Sequence, residues 1–162
     1  MEKKTGNKKN FKLDTYTRNL FVLFDQTRDI LIHAVELELK QSKINFAQTK
    51  VFYILTQEKN GVTQADLSKW LLRNLNTVST LINKMEEEGL VKKTKNKQDG
   101  KVYVTLTQKG SAVWDEVSER AIFLTLSALS EEEKAQFKAL LKKLRAAIRN
   151  MLGLDFKPPF LP

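Results

Sequence analysis

The chain has 162 residues, 41% of them apolar, and a formal net charge of +9 with a sequence pI near 9.7. It is long enough for one domain with extensions, and its basicity suits a polyanion, either nucleic acid or an acidic membrane surface. With no cysteine and a single histidine, disulfides, zinc–thiolate sites, thiol redox sensing and a histidine metal cluster are excluded, and no metal or cofactor is expected.

Residues 1–10, MEKKTGNKKN, read as a disordered basic tail, and they lack the apolar run of a signal peptide. No segment approaches the ~18 uninterrupted apolar residues of a membrane span, so a cytoplasmic location and no membrane partner are expected. Asp14-Thr-Tyr-Thr opens a long helical pattern to about Gln41, in which Tyr16, Leu20, Leu23, Phe24, Leu31, Val35 and Leu39 recur at helical spacing. Phe21, Ile30, Ile32 and Leu37 widen the stripe until it needs covering on more than one side. His33, midway along, reads as a packed or solvated side chain rather than a ligand.

Asn45-Phe-Ala-Gln48 has the form of a capping box, opening a helix that buries Val51, Phe52, Ile54 and Leu55 and stops near Asn60-Gly61. Thr63-Gln-Ala-Asp66 is a third helix start, followed by Leu67, Trp70 and Leu71. After Arg73, Asn74 caps a fourth helix expected to bury Leu75, Val78, Leu81, Ile82 and Met85 and to end at Gly89. Val91–Lys95 and Val102–Leu106 are short strands around an Asp99-Gly100 turn. Thr107 caps a fifth helix expected to reach about Ala128, with Gly110 tolerated in its first turn. Ser130-Glu-Glu-Glu133 is a second capping box; the helix behind it carries Phe137, Leu140, Leu141, Leu144, Ile148 and Leu152 and ends at Gly153. The tail FKPPFLP is non-helical at its prolines, and Phe156, Phe160 and Leu161 pack on a partner subunit or stay disordered. Trp70 and Trp114 read as core or interdomain packing.

The fold class is therefore mainly α with a small β-hairpin. Two short helices joined by a tight turn with a hairpin behind them make a winged helix-turn-helix, whose second helix enters the DNA major groove. Its polar face is expected to show Asn76, Thr77, Ser79, Thr80, Asn83 and Lys84, with Asn74 at its start. Asparagine can pair with adenine N6 and N7, and threonine can touch the thymine methyl. Lys92, Lys93, Lys95, Lys97 and Lys101 crowd the hairpin, where Asp99 marks the turn; a basic loop beside a recognition helix is placed to grip the neighbouring phosphates or minor groove. The alternative is a winged-helix protein-interaction module, which would show apolar residues on that face instead. No catalytic constellation is present: there is no cysteine nucleophile, no histidine with an identifiable partner and no glycine-rich phosphate loop, so no enzyme is expected.

From Asn45 to Gly110 the sequence resembles the MarR family of bacterial transcription regulators. The resemblance rests on Asn76-Thr-Val-Ser-Thr-Leu-Ile-Asn-Lys-Met-Glu-Glu-Glu-Gly-Leu-Val and on the wing ending Val104-Thr-Leu-Thr-Gln-Lys-Gly110, and the flanking helices also fit the family layout. It implies a homodimer in which the winged helix, residues 44–107, is flanked by dimerisation helices over 11–43 and 108–152, with a proline-containing tail over 153–162. Leu20, Leu23, Phe24, Phe137, Leu141, Leu144 and Ile148 would form the dimerisation face. Two winged helices would straddle a pseudo-palindrome. Family members usually repress transcription, and many release DNA when a small, often aromatic molecule binds between the two domains; the residues that would hold such an effector here are not legible. Two positions depart from the family pattern. Asp99-Gly100-Lys101 stands where the wing usually reads Asp-x-Arg, and Thr80 stands where the recognition helix often has an arginine. The cysteines of the peroxide-sensing branch are missing.

Overall fold

The computed structural model describes residues 11–42, 44–156 and 158–160. The expected basic tail over 1–10, Lys43 at the end of the first expected segment, and Leu161 lie outside the described residues. The chain runs through α1 (Thr15–Ser42), α2 (Phe46–Gln57), β1 (Val62–Thr63), α3 (Gln64–Leu71), α4 (Leu75–Glu87), β2 (Val91–Lys95), β3 (Val102–Leu106), α5 (Gln108–Asp115), α6 (Arg120–Ser127) and α7 (Glu131–Met151). It is a mainly helical winged helix with a small antiparallel sheet.

The helix starts are set by side-chain caps that satisfy first-turn amides. Asn45 accepts from the Ala47 and Gln48 amides while Gln48 reaches back to the Asn45 amide, closing the expected capping box on α2. Gln48 is buried, and its side-chain amide also donates to Glu88 at 2.8 Å, tying the start of α2 to the end of α4. Thr63 caps α3, Asn74 caps α4, Thr107 caps α5, and Ser130 with Glu133 forms the box on α7.

The core lies in the winged helix. Val51, Phe52, Ile54 and Leu55 of α2 meet Leu67 of α3, Val78, Ile82 and Met85 of α4, and Val62, Val91 and Val104 of the sheet. Trp114 closes one side by stacking on Phe52, with ring centres 5.7 Å apart. From α1 only Val35 and Leu39 are buried; from α6 and α7 no residue is.

Four expectations change. The hairpin gains a third strand: Val62 pairs with Val104 and Thr63 with Tyr103, giving the order β1-β3-β2. Leu75 is 49% exposed because it is the first residue of α4, one turn before the buried stripe begins at Val78. The single helix expected from Thr107 to Ala128 is broken at residues 116–119. Trp114 and Val117 face the winged-helix core whereas α6 packs along α1, so one straight axis cannot serve both contacts. Glu38 of α1 supplies the missing cap, accepting from the Ala121 amide at 3.1 Å. Finally, Gly110 is required rather than tolerated. It is buried, and a β-carbon there would overlap the carbonyl oxygen of Leu90. That close approach seats α5 on the end of α4: Thr107 donates its amide to Leu90 and its hydroxyl to Gly89, and Lys109 donates to the Glu88 carbonyl.

Candidate nucleic-acid interface

α3 and α4 are joined by a turn in which Leu72 adopts the left-handed conformation, φ 52°, and its amide closes onto the Lys69 and Ser68 carbonyls. The Ser68 hydroxyl donates to the Arg73 carbonyl at 2.6 Å and holds the turn shut. The recognition helix α4 starts from this fixed point.

The candidate residues separate into two groups. Asn76, Thr77, Thr80, Asn83 and Lys84 are exposed along α4. Among the described residues the Asn76 side chain makes no hydrogen bond. The Thr77 hydroxyl donates to Asn74 at 2.8 Å, and the Thr80 hydroxyl donates to the Asn76 carbonyl at 3.0 Å. Lys84 lies 3.9 Å from Glu88. Asn83 accepts from Lys93 at 2.8 Å, so the helix and wing are latched together at that point. Two expected contacts fall in the second group. The Asn74 oxygen is occupied by the Thr77 amide and hydroxyl, making it a cap. Ser79 is half-buried and donates to Gln64 of α3 at 2.7 Å, because its position on the helix faces α3 rather than outward.

The wing is a β2–β3 hairpin whose connection spans residues 96–101 rather than a two-residue turn. The Asn96 amide donates to the Lys101 carbonyl and the Gly100 amide to the Asn96 carbonyl, with Gly100 at φ +70°. Asp99 points into this loop. Its carboxylate accepts from the Lys101 amide at 3.0 Å and from the Tyr103 hydroxyl at 2.8 Å. These bonds, the Lys101 amide first, hold the Asp99 pKa below its ordinary value; the same carboxylate raises that of Tyr103. Asp99 therefore orders the wing, and its charge would repel phosphate. Lys95, Lys97 and Lys101 are exposed and form no ion pair among the described residues. Lys93 differs: it is held 2.7 Å from Glu86, whose pKa it depresses chiefly through that side-chain bond.

Sequence reasoning passed over Arg73, which is exposed in the helix-turn-helix bend and borders a cleft with Asn45, Lys50 and Thr77. A basic residue directly before a helix cap was the available signal.

Beneath the winged helix lies an apolar cavity of about 380 Å³. Val35 and Leu39 of α1, Tyr53 and Ile54 of α2, Trp70 and Leu71 of α3, and Trp114 and Val117 line it, with Lys50 and Glu119 among its polar lining residues. Burial, then the Arg73 and Arg28 charges, lower the Lys50 pKa. The lining comes from five separate segments, which is why no motif announced it.

The MarR family model matches residues 44–103. Among solved structures, S. aureus MepR bound to DNA is 29% identical, with 78% of this chain and 94% of that chain covered and a TM-score of 0.69. AbsC, a MarR family transcriptional regulator from Streptomyces coelicolor, has the same fold at 17% identity, with a TM-score of 0.78 over 87% of this chain and 99% of its own. So has the organohalide-sensing transcriptional regulator RdhR in its 2,4-dichlorophenol-bound form, at 23% identity and a TM-score of 0.70 over 91% and 89% of the two chains. A search of curated proteins gave no significant match. No helix among the described residues is long and apolar enough to cross a membrane. Residues 44–103, which hold the capped helix α4 and most of the basic hairpin, match the MarR family model, and the fold is the one these MarR family regulators share.

Proposed function

We propose that the protein is a homodimeric regulator that represses transcription from a pseudo-palindromic operator and is released by a small aromatic effector. The observation that carries the DNA reading is the pairing, among the described residues, of a recognition helix whose Asn76 side chain makes no hydrogen bond with a wing whose Lys95, Lys97 and Lys101 form no ion pair. Asn76, Thr77, Thr80 and Asn83 would read bases with an AT preference, because the helix face offers amides and methyls but no arginine. Lys84, Arg73 and the wing lysines would hold phosphates. MepR, solved as a DNA complex, supports this use of the shared fold.

The dimer reading rests on bare apolar surface. Leu20, Leu23, Phe24, Phe137, Leu141, Leu144 and Ile148 are between 37% and 63% exposed in the isolated chain, far more apolar surface than a soluble monomer leaves open. On this reading residues 11–43 and 108–152 are dimerisation segments around the winged helix at 44–107. The effector reading rests on the cavity between α1 and the winged helix. Its aromatic lining suits a ring, and the partly desolvated Lys50 ammonium suits a phenolate or other electron-rich group. The dichlorophenol held by RdhR is a ligand of that kind.

A protein-interaction module remains the second reading, favoured by the exposure of Leu72 and Leu75 beside the recognition helix. Footprinting upstream of the protein's own gene and its neighbours separates the two. A protected palindrome is expected, and Asn76→Ala should cost about 1–3 kcal/mol at particular base positions. Absence of any protected site would overturn the regulator reading, and an equal loss on every sequence would reduce Asn76 to a phosphate contact.

A further inference from the structure

Lys93 ties the wing to the recognition helix through both its backbone and its side chain. Its amide donates to one Glu86 carboxylate oxygen at 3.0 Å, its ammonium lies 2.7 Å from the other, and the same ammonium donates to the Asn83 side-chain oxygen at 2.8 Å. β2 is an edge strand, so Glu86 supplies the partner that a further strand would otherwise give this amide. The double hold fixes the ammonium against α4, where the Lys93 and Glu86 side chains are both partly buried.

An ammonium has protons and no lone pair, so the Asn83 atom that faces it is the carbonyl oxygen. Asn83 Nδ2 is therefore turned away from Lys93, and among the described residues it makes no hydrogen bond. Asn83 is exposed, and with Asn76 and Thr80 it follows the i, i+4, i+7 spacing of one stripe along α4. A free asparagine amide pairs with adenine by accepting from N6 and donating to N7. Here a cation holds the accepting half, and its charge repels the N6 amino protons. Guanine presents two neighbouring acceptors in the major groove, N7 and O6, whereas thymine presents one and cytosine a donor.

We propose that Lys93 is a positioning residue that sets the polarity of Asn83, so that the pair presents donors only and selects guanine at the base step it meets. The proposal rests on the DNA reading above. It assigns the AT preference of the helix face to Asn76, Thr77 and Thr80 and makes Asn83 the exception, a guanine reader on a face without arginine.

The test takes a duplex selected by the full chain from a random library and measures competition affinities for all four bases at each position, at one salt concentration. Asn83→Ala identifies the step as the position where preference flattens. There the native protein should favour guanine over adenine by about tenfold, the scale of one well-made base contact. Lys93→Met keeps the aliphatic stem and frees the amide, so adenine should become favoured by about the same factor. Lys93→Arg also only donates and should retain guanine. Asn83→Asp is nearly isosteric, keeps the bond to Lys93 and turns the outward atom into an acceptor, so cytosine should replace guanine whether or not the Lys93→Met chain folds. Three results would overturn the proposal and leave the DNA reading standing: a base other than guanine favoured by the native protein at that step, a profile left unchanged by a folded Lys93→Met protein or by Asn83→Asp, or no position flattened by Asn83→Ala. Failure to select any sequence would instead overturn the DNA reading and this inference with it.

Discussion

The winged helix and the helices around it solve the burial problem in opposite ways. Residues 44–106 contribute three helices and three strands that cover one another, and Phe52, Leu67, Ile82, Met85, Val91 and Val104 are fully enclosed within a single chain. α7 is longer than any helix of that unit and encloses none of its residues; α1 encloses two of its 28. The caps of α7 are as complete as those of α4, so local helix chemistry does not separate the two regions. What separates them is where their apolar faces find a partner. A stripe such as Phe137–Leu141–Leu144–Ile148 is left for a surface outside the chain, and the proposed second copy is the simplest surface of matching shape.

Breaking that external surface should have the largest effect. Leu141→Glu with Leu144→Glu removes two leucines, each worth about 1.5–3 kcal/mol when buried, and places charge in the interface. The dimer should weaken by at least about 3–6 kcal/mol, seen as monomers by light scattering at micromolar concentration, while helical circular dichroism of the winged helix persists. A native chain that is already monomeric at that concentration would remove the main support for the dimer.

Gly110→Ala strikes the internal surface instead. Its β-carbon would collide with the Leu90 carbonyl, so α5 must move off α4. The cost should be about 3 kcal/mol, or roughly 6–12 °C of melting temperature. Gly100→Ala, where a β-carbon meets nothing and only the positive φ opposes it, should cost about 1 kcal/mol. Equal melting temperatures for the two variants would show that α5 does not seat closely on α4.

The smallest effect concerns the wing tip. Because the folded Asp99 pKa lies below its ordinary value of 3.8, its bonds to Lys101 and Tyr103 are intact above that value and lost as pH falls through the depressed one. Amide exchange at Lys101, corrected for its intrinsic pH dependence, should be constant from neutral pH down to about 4. Asp99→Ala should accelerate it at neutral pH without moving the melting temperature of the core. Unchanged exchange in the variant would mean the tip is ordered by backbone bonds alone.

The same contrast explains what was legible in the sequence. Five of the helix caps were readable, because Asn45, Thr63, Asn74, Thr107 and Ser130 act on amides two or three residues away. The recognition helix and both hairpin strands were readable for the same local reason. What escaped depends on distant partners. β1 has two residues and exists only because Val104 lies beside it. The break before α6 depends on Glu38, 83 positions away. Gly110 looked optional until Leu90 was brought against it. Ser79 and Asn76 are both small polar residues on one helix, and only the position of Gln64 decides that the first turns inward. Phe160 was read as packing on a partner or disordered, whereas Tyr53 and Trp70 of its own chain receive it.

The central claim is that the wing and recognition helix bind duplex DNA, and a salt titration of binding tests it most directly. Lys97 and Lys101 are exposed at the wing tip with no ion pair among the described residues, and lysine acts there as a point charge rather than a base-reading fork. In Lys97→Ala/Lys101→Ala a dimer would lose about four phosphate contacts, so the slope of log affinity against log salt should flatten by roughly 3–4 units, on specific and random duplexes alike. A slope equal to that of the unaltered protein would contradict the claim and move the protein-interaction reading ahead.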